Sequence, residues 1–294
     1  MEPCRVDLHT HSKASDGTDT PAELVRKAAT QKVRYLSLTD HDTLAGLAEA
    51  EAEANVLGLT FIHGVELSTD WLGKEMHILG YGVQPTLHFQ SFLHEMIDSR
   101  NRRNRKMIEI MQSKGMKISE EEVRAKAGGE EILSRPHFAQ VLVEKGYALS
   151  RQDAFDRYLA AGASCYVPRE SPDYLACIKA IRDAGGVSVF AHPYLLQPSP
   201  KELRIILQAL VKAGLQGLEV WHSDHPEDMQ LFYEKMAADY HLLCSGGSDY
   251  HGSNKPHIEV GSGHHHNVNI TDSRIPTLLI HRIQENRAHK EVIQ

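Results

Sequence analysis

Short apolar runs that end in a histidine or a carboxylate recur along this 294-residue chain, and that pattern restricts the folds open to it. Val6–Leu8 runs into His9-Thr10-His11, Tyr35–Leu38 into Thr39-Asp40-His41-Asp42, and Leu59–Ile62 into His63-Gly64-Val65-Glu66. Met76–Leu79 carries His77. Val187–Phe190 runs into Ala191-His192-Pro193, Gly217–Val220 into Trp221-His222, and Leu242–Cys244 into a loop holding Asp249 and His251. Helical spacing fills the gaps at Pro21–Gln31, Thr43–Leu57, Asp173–Ala184, Lys201–Ala213 and Pro226–Asp239. This alternation predicts an α/β fold with a parallel sheet or barrel. In parallel barrels the active site lies at the carboxyl ends of the strands, which is where these polar groups fall.

The alternation stops near Phe89. Helical text follows at Ser91–Lys114, Ser119–Ala127, Pro136–Lys145 and Arg151–Ala160, punctuated by Gly115, Gly128-Gly129 and Gly146. The expected organisation is a barrel of residues 1–88 and 167–294 interrupted by a helical cap over 89–166.

Composition excludes several classes. A net charge of -7 does not suit a protein coated to bind long duplex nucleic acid. Cys4, Cys165, Cys177 and Cys244 form no C-x-x-C pair, which argues against a disulfide scaffold and a thiolate zinc site. No apolar leader precedes the first strand and no apolar run reaches membrane length, so a cytoplasmic location is expected, with no membrane and no obligate protein partner.

Histidine is abundant, 19 residues, and its placement carries the chemistry. Residues two apart on an extended segment face the same way, so His9 and His11 can grip one metal ion as neutral imidazoles. Asp16 follows closely in the Ser15-Asp16-Gly17 turn. Two imidazoles do not complete a site, so the remaining ligands must come from other strand ends. The mixed nitrogen and oxygen set favours manganese, iron or zinc over calcium.

His9-Thr10-His11-Ser12, Thr39-Asp40-His41, Gly64-Val65-Glu66, Ala191-His192-Pro193 and Gly247-Ser248-Asp249-Tyr250-His251 resemble the successive motifs of the PHP (polymerase and histidinol phosphatase) superfamily. The resemblance implies a distorted (β/α)7 TIM-like barrel with a trinuclear metal site, three divalent ions in all, manganese first with iron or zinc as alternatives. It implies that His9, His11, Glu66 and Asp249 hold the first ion. Glu66 would bridge to a second with His77 and His192, and Asp16, His41 and His251 would hold the third. Divalent ions lower the pKa of bound water and neutralise phosphoryl oxygens, so hydrolysis of phosphoesters is expected.

Within the insertion, Ser134-Arg135-Pro136-His137 reads as a helix start, a place that attracts anions. The run resembles that of the small-nucleotide phosphoesterases of the superfamily. Arg135 and His137 are therefore expected on substrate phosphate, His137 or His192 at the leaving oxygen, and His222 with Trp221 and Ser223 around the nucleoside. The expected reaction removes the 3′-phosphate of a nucleoside 3′,5′-bisphosphate, with trimming of short 5′-phosphorylated RNA as a related activity. The rivals are a histidinol phosphate phosphatase and a non-catalytic scaffold module. The run Arg100–Lys106 fits an RNA track or a solvated helix face. Asp40 and Asp42 fit caps or acceptors behind metal-bound imidazoles, and His264-His265-His266 fits a solvent loop.

Overall fold

The computed structural model describes residues 5–127 and 132–293, with side chains to 290; Cys4 and Gly128-Gly129 lie outside the described residues. Seven strands form one sheet in the order β1 (Arg5–Asp7), β2 (Val33–Leu38), β3 (Thr60–Trp71), β4 (Lys74–Tyr81), β5 (Val187–Phe190), β6 (Gly217–His222) and β7 (Leu243–Gly247). The sheet curls almost shut. The Leu8 N–H donates to Gly246 O at 3.1 Å, Asp249 N–H to His9 O at 2.8 Å, and His11 N–H to Tyr250 O at 2.9 Å. That approach requires a glycine at 247, where a Cβ would lie 2.2 Å from the His9 nitrogen. The architecture is thus the distorted seven-stranded α/β barrel expected.

One strand departs from the parallel expectation. β4 is antiparallel to both β3 and β5. A tight turn at Leu72-Gly73, both with positive φ, folds β4 back on β3 as a hairpin. The third strand is also far longer than the four residues predicted, so Glu66 lies mid-strand on β3, with His77 on β4 beside it.

Helices cover the barrel for reasons visible in their ends. Thr20 caps α1 (Pro21–Thr30) with a reciprocal Glu23 box, and Leu24, Val25 and Ala28 turn inward. Gly58 at φ 73° closes α2 (Leu47–Leu57). Asp173 caps α7 (Tyr174–Asp183), and a Ser199–Glu202 box opens α8 (Pro200–Ala213). α9 (Glu227–Asp239) precedes β7, and a final helix, Arg274–Ile293, packs Leu279 and Ile283 on the barrel end. That last helix has no counterpart in the sequence reading.

The insertion folds as α3 (Leu87–Ser113), α4 (Glu120–Lys126), α5 (Arg135–Glu144) and α6 (Arg151–Ala154), which passes into a π-helical turn at Phe155–Leu159. It has its own apolar core, including Met107, Met111, Phe138, Leu142 and Leu159. The first turns of α3 belong to the barrel core instead, through Phe89, Leu93 and Met96. The basic run on α3 divides: Arg100 and Arg103 are buried, while Arg102, Arg105 and Lys106 face solvent.

Candidate metal centre

Glu66 is the hub of the strand-end cluster. Its Oε1 lies 2.7 Å from His77 Nδ1 and 2.8 Å from His192 Nε2. Its Oε2 lies 3.3 Å from His9 Nε2, 3.1 Å from His11 Nε2 and 3.2 Å from His41 Nδ1. Asp249 Oδ1 faces the same two imidazoles from the other side, 3.6 Å from His9 Nε2 and 3.3 Å from His11 Nε2. Asp16 stands 3.2 Å from His251 Nε2 and 3.7 Å from His11 Nδ1. All of these side chains are buried or nearly so.

Among the described residues, His77 and His192 hydrogen-bond Glu66 Oε1, whereas three other nitrogens meet the carboxylates unbonded. His9 Nε2, His11 Nε2 and His41 Nδ1 form no hydrogen bond despite the nearby carboxylate oxygens. Two ligands of one ion with metal–nitrogen bonds of about 2.1 Å sit roughly 3 Å apart, the spacing seen here. The described residues offer overlapping sets for metal ions: His11-Asp16-His41-His251, His9-His11-Asp249, His9-Glu66-His192, His41-Glu66-His77 and His9-Glu219-His222. The residues therefore fit divalent metal.

Charge supports the same reading. Burial holds His41 down to about 3 and keeps His192 and His251 below their ordinary range, which favours the neutral form a metal ligand needs. Burial works against a charged His77 as well, but Glu66 raises it to about 10. Burial opposes the Glu66 carboxylate, yet the surrounding imidazoles hold it well below its ordinary range. Cations resting among these groups would replace that internal compensation.

A second layer pins the loops. Glu219 bonds His9 Nδ1 at 2.8 Å and the His192 N–H at 2.7 Å. Asp40 accepts from the Ser12 N–H and from the Ser12 and Ser15 hydroxyls, holding the turn that carries Asp16. Asp7 accepts from the Ser248 N–H, the Ser248 hydroxyl and the Gly261 N–H, holding the loop of Asp249. Asp42 binds Arg100 at 2.5 Å and Arg169 at 2.8 Å, joining the start and end of the insertion to the His41 loop. His192 and Asp249 have φ of 28° and 55°, backbone strain placed at the cluster. Glu219 and Asp7 escaped the sequence reading; the signal was a carboxylate inside an otherwise apolar strand.

A cavity of about 330 Å³ opens above the cluster. Asp16, His41, Glu66, His77, His192, Asp249 and His251 form its floor. Arg135 and Arg151 from the insertion and Lys255 after β7 supply positive walls, and Phe155 and Leu195 supply apolar ones. Arg135 is paired with Glu75 at 2.5 Å, and Lys255 with Asp249. A larger groove of about 520 Å³ beside α1 holds none of the clustered imidazoles.

The other expected substrate residues lie elsewhere. His137 is on the buried face of α5, its Nδ1 accepting the Ser134 N–H at 3.2 Å, and it lines a neighbouring cavity. His222 is fully buried, its Nε2 3.2 Å from Asp249 Oδ2, and none of Trp221, His222 and Ser223 lines the main cavity. His264, His265 and His266 are exposed, away from the cluster.

The chain belongs to the PHP domain family, whose sequence model matches residues 7–168. It is 34% identical over 275 residues to the 5′-3′ exoribonuclease of Haemophilus influenzae, covering 92% of this chain and 97% of that one. It is 34% identical over 259 residues to the 3′,5′-nucleoside bisphosphate phosphatase of Chromobacterium violaceum, covering 87% and 90%. Among solved structures, a protein of Bifidobacterium adolescentis assigned as a metal-dependent phosphoesterase superimposes with a TM-score of 0.83 at 33% identity, over 94% and 96% of the chains. An amidohydrolase of Chromobacterium violaceum, with bound sulfate and no metal, superimposes with a TM-score of 0.82 at 32% identity, over 88% and 90%. Among the described residues no helix is long and apolar enough to cross a membrane.

Proposed function

We propose that this protein is a metal-dependent phosphoesterase that removes the 3′-phosphate of nucleoside 3′,5′-bisphosphates. The observation that carries the reading is Glu66, set among five imidazoles at the floor of a cavity with basic walls. In this reading His9, His11, Glu66 and Asp249 hold one ion, Glu66, His77 and His192 a second, and Asp16, His41 and His251 a third. Such ions, of which manganese suits the donors and iron or zinc would also be accepted, supply water activation and neutralise phosphoryl oxygens.

The chain's own groups do the rest. Arg135 and Arg151 face the cavity as planar guanidinium forks suited to phosphate oxygens. Substrate binding exchanges the Arg135–Glu75 pair for an Arg135–phosphate pair. Lys255 neutralises the Asp249 oxygen turned away from His9 and His11, and places an ammonium at the cavity wall. Glu66 holds the His192 ring at Nε2, and Glu219 accepts from the His192 backbone N–H, so ring and loop are both positioned at the cluster. Phe155 and Leu195 offer the nucleoside an apolar seat. The sulfate of the Chromobacterium neighbour is consistent with a phosphate-shaped anion in such a barrel.

Short 5′-phosphorylated RNA is the second substrate, supported by the Haemophilus relative and by the 5′-3′ exoribonuclease Rnm of Escherichia coli, 35% identical over 258 residues. The test is a panel with manganese-loaded protein: a nucleoside 3′,5′-bisphosphate, a 5′-phosphorylated oligoribonucleotide and histidinol phosphate. Fastest turnover of the bisphosphate supports the proposal. Faster turnover of histidinol phosphate overturns the substrate, and no turnover with fewer than two metals per chain favours a scaffold module.

A further inference from the structure

A second cavity of about 230 Å³ adjoins the first, between the insertion and the loop after β1. Arg151 and Asn254 line both, forming a shared wall. Arg151 Nη1 donates to Asn254 Oδ1 at 2.5 Å, and Asn254 Nδ2 donates to the Asp16 carbonyl at 2.6 Å, so the wall is anchored to the loop of the metal cluster.

The lining of this second cavity is one-sided. Among the described residues its charged side chains are Lys13, Lys126 and Arg151, with no carboxylate. Glu144 pairs with Lys126 at 2.6 Å but does not line the space. In a chain of net charge -7 a pocket of this sign is not a by-product of composition. His137, 4% exposed, adds a built donor. Burial keeps it neutral, and because its Nδ1 accepts the Ser134 N–H, its one proton sits on Nε2. Gln140 adds an amide. With about 30 Å³ per water, the volume admits a phosphate and its hydration.

We infer that this pocket binds a second phosphate group of a nucleotide whose scissile phosphate lies over the Glu66 cluster. The inference rests on the nucleotide phosphoesterase reading and adds a site to it. Monoanionic and dianionic phosphates share the needed chemistry, so the second group is either the remaining terminal phosphate of a bisphosphate or an internucleotide phosphate of short RNA. Lys13 and Lys126 act as point charges toward it, and Nε2–H of His137 as a fixed donor.

The experiment uses the metal-loaded enzyme and the double variant Lys13→Gln/Lys126→Gln. Substrates are a nucleoside 3′,5′-bisphosphate, a 5′-phosphorylated dinucleotide and a nucleoside 3′-monophosphate. The expected result is a KM about tenfold higher for one or both doubly phosphorylated substrates, with kcat and the monophosphate KM unchanged. The substrate that moves identifies the source of the second phosphate. Unchanged KM values, or an equal rise for all three substrates, overturn the inference. If the double variant melts early, Lys13→Gln alone, at an exposed side chain, carries the same comparison. If wild-type protein hydrolyses none of the three, the phosphoesterase reading fails, and calorimetric titration with adenosine 3′,5′-bisphosphate decides the pocket separately. A tenfold weaker affinity in the variant supports it; equal affinity, or no binding to wild type, refutes it.

Discussion

Glu219 and His9, 210 residues apart in sequence, are joined by a 2.8 Å hydrogen bond between Oε1 and Nδ1, both side chains closed to solvent. The accepting carboxylate places the proton on Nδ1 and leaves Nε2 with its lone pair toward Glu66 and Asp249. A carboxylate behind a ligand imidazole fixes its tautomer and raises its basicity. The second oxygen of Glu219 holds the His192 N–H. An amide can accept from only one of these two donors without presenting N–H to N–H. Glu219→Gln is therefore expected to lower metal affinity about 10- to 100-fold. Competition titration against a chelating indicator reads this directly, and wild-type affinity in the variant would refute it.

Asp42 is the buried anion between Arg100 and Arg169. Breaking a buried pair strands the remaining charges and costs about 3–5 kcal/mol. Asp42→Asn keeps the shape and removes the charge, so it is expected to lower the unfolding free energy by that amount, read as a lower midpoint in chemical denaturation. Since Arg100 lies on the first helix of the insertion and Arg169 just past its end, the insertion's proteolytic susceptibility should rise too. Wild-type stability in chemical denaturation would show that the two arginines are solvated well enough to stand alone.

Metal removal should destabilise the whole barrel. Ions that bind only the folded state add about 4 kcal/mol when present at a thousand times their Kd. Differential scanning calorimetry with and without a strong chelator is expected to show a fall of several degrees, reversed by adding manganese. Superimposable melts would mean that the cluster satisfies itself internally.

Arg135 faces the cavity from the first turn of α5 and is tethered to the half-exposed Glu75. Arg135→Ala should raise KM for a nucleoside bisphosphate by about tenfold or more and change kcat much less, the pattern of lost ground-state binding. A variant whose kcat falls with KM unchanged would move Arg135 from binding to the chemical step.

Much of the barrel was legible because it obeys local rules. Val187–Phe190 is a mostly apolar run before His192 and is the observed β5 residue for residue. His9 and His11 follow the two-residue period of an extended chain, and both reach Glu66. The antiparallel sense of β4 was less legible. The Leu72-Gly73 turn is a hairpin signal, but the alternation around it favoured parallel strands. Glu219 stayed hidden because β6 shifts register between Glu219 and Trp221, which breaks the simple alternation of faces. His137 reads in sequence like a phosphate ligand beside Arg135, yet two residues on a helix point about 200° apart, and they line different cavities. Arg100 reads as one of several surface bases because nothing local announces its partner 58 residues earlier.

The central claim is that the Glu66 cluster, with Asp249 in its first ion site, hydrolyses a nucleotide phosphoester. Its most direct test is the rate of phosphate release from a nucleoside 3′,5′-bisphosphate by manganese-loaded Asp249→Ala compared with wild type. A metal's stabilisation of transition-state charge is worth several kcal/mol, so the expected fall is at least about a thousandfold, with the far-ultraviolet circular dichroism spectrum retained. Equal rates in the two proteins would contradict the account.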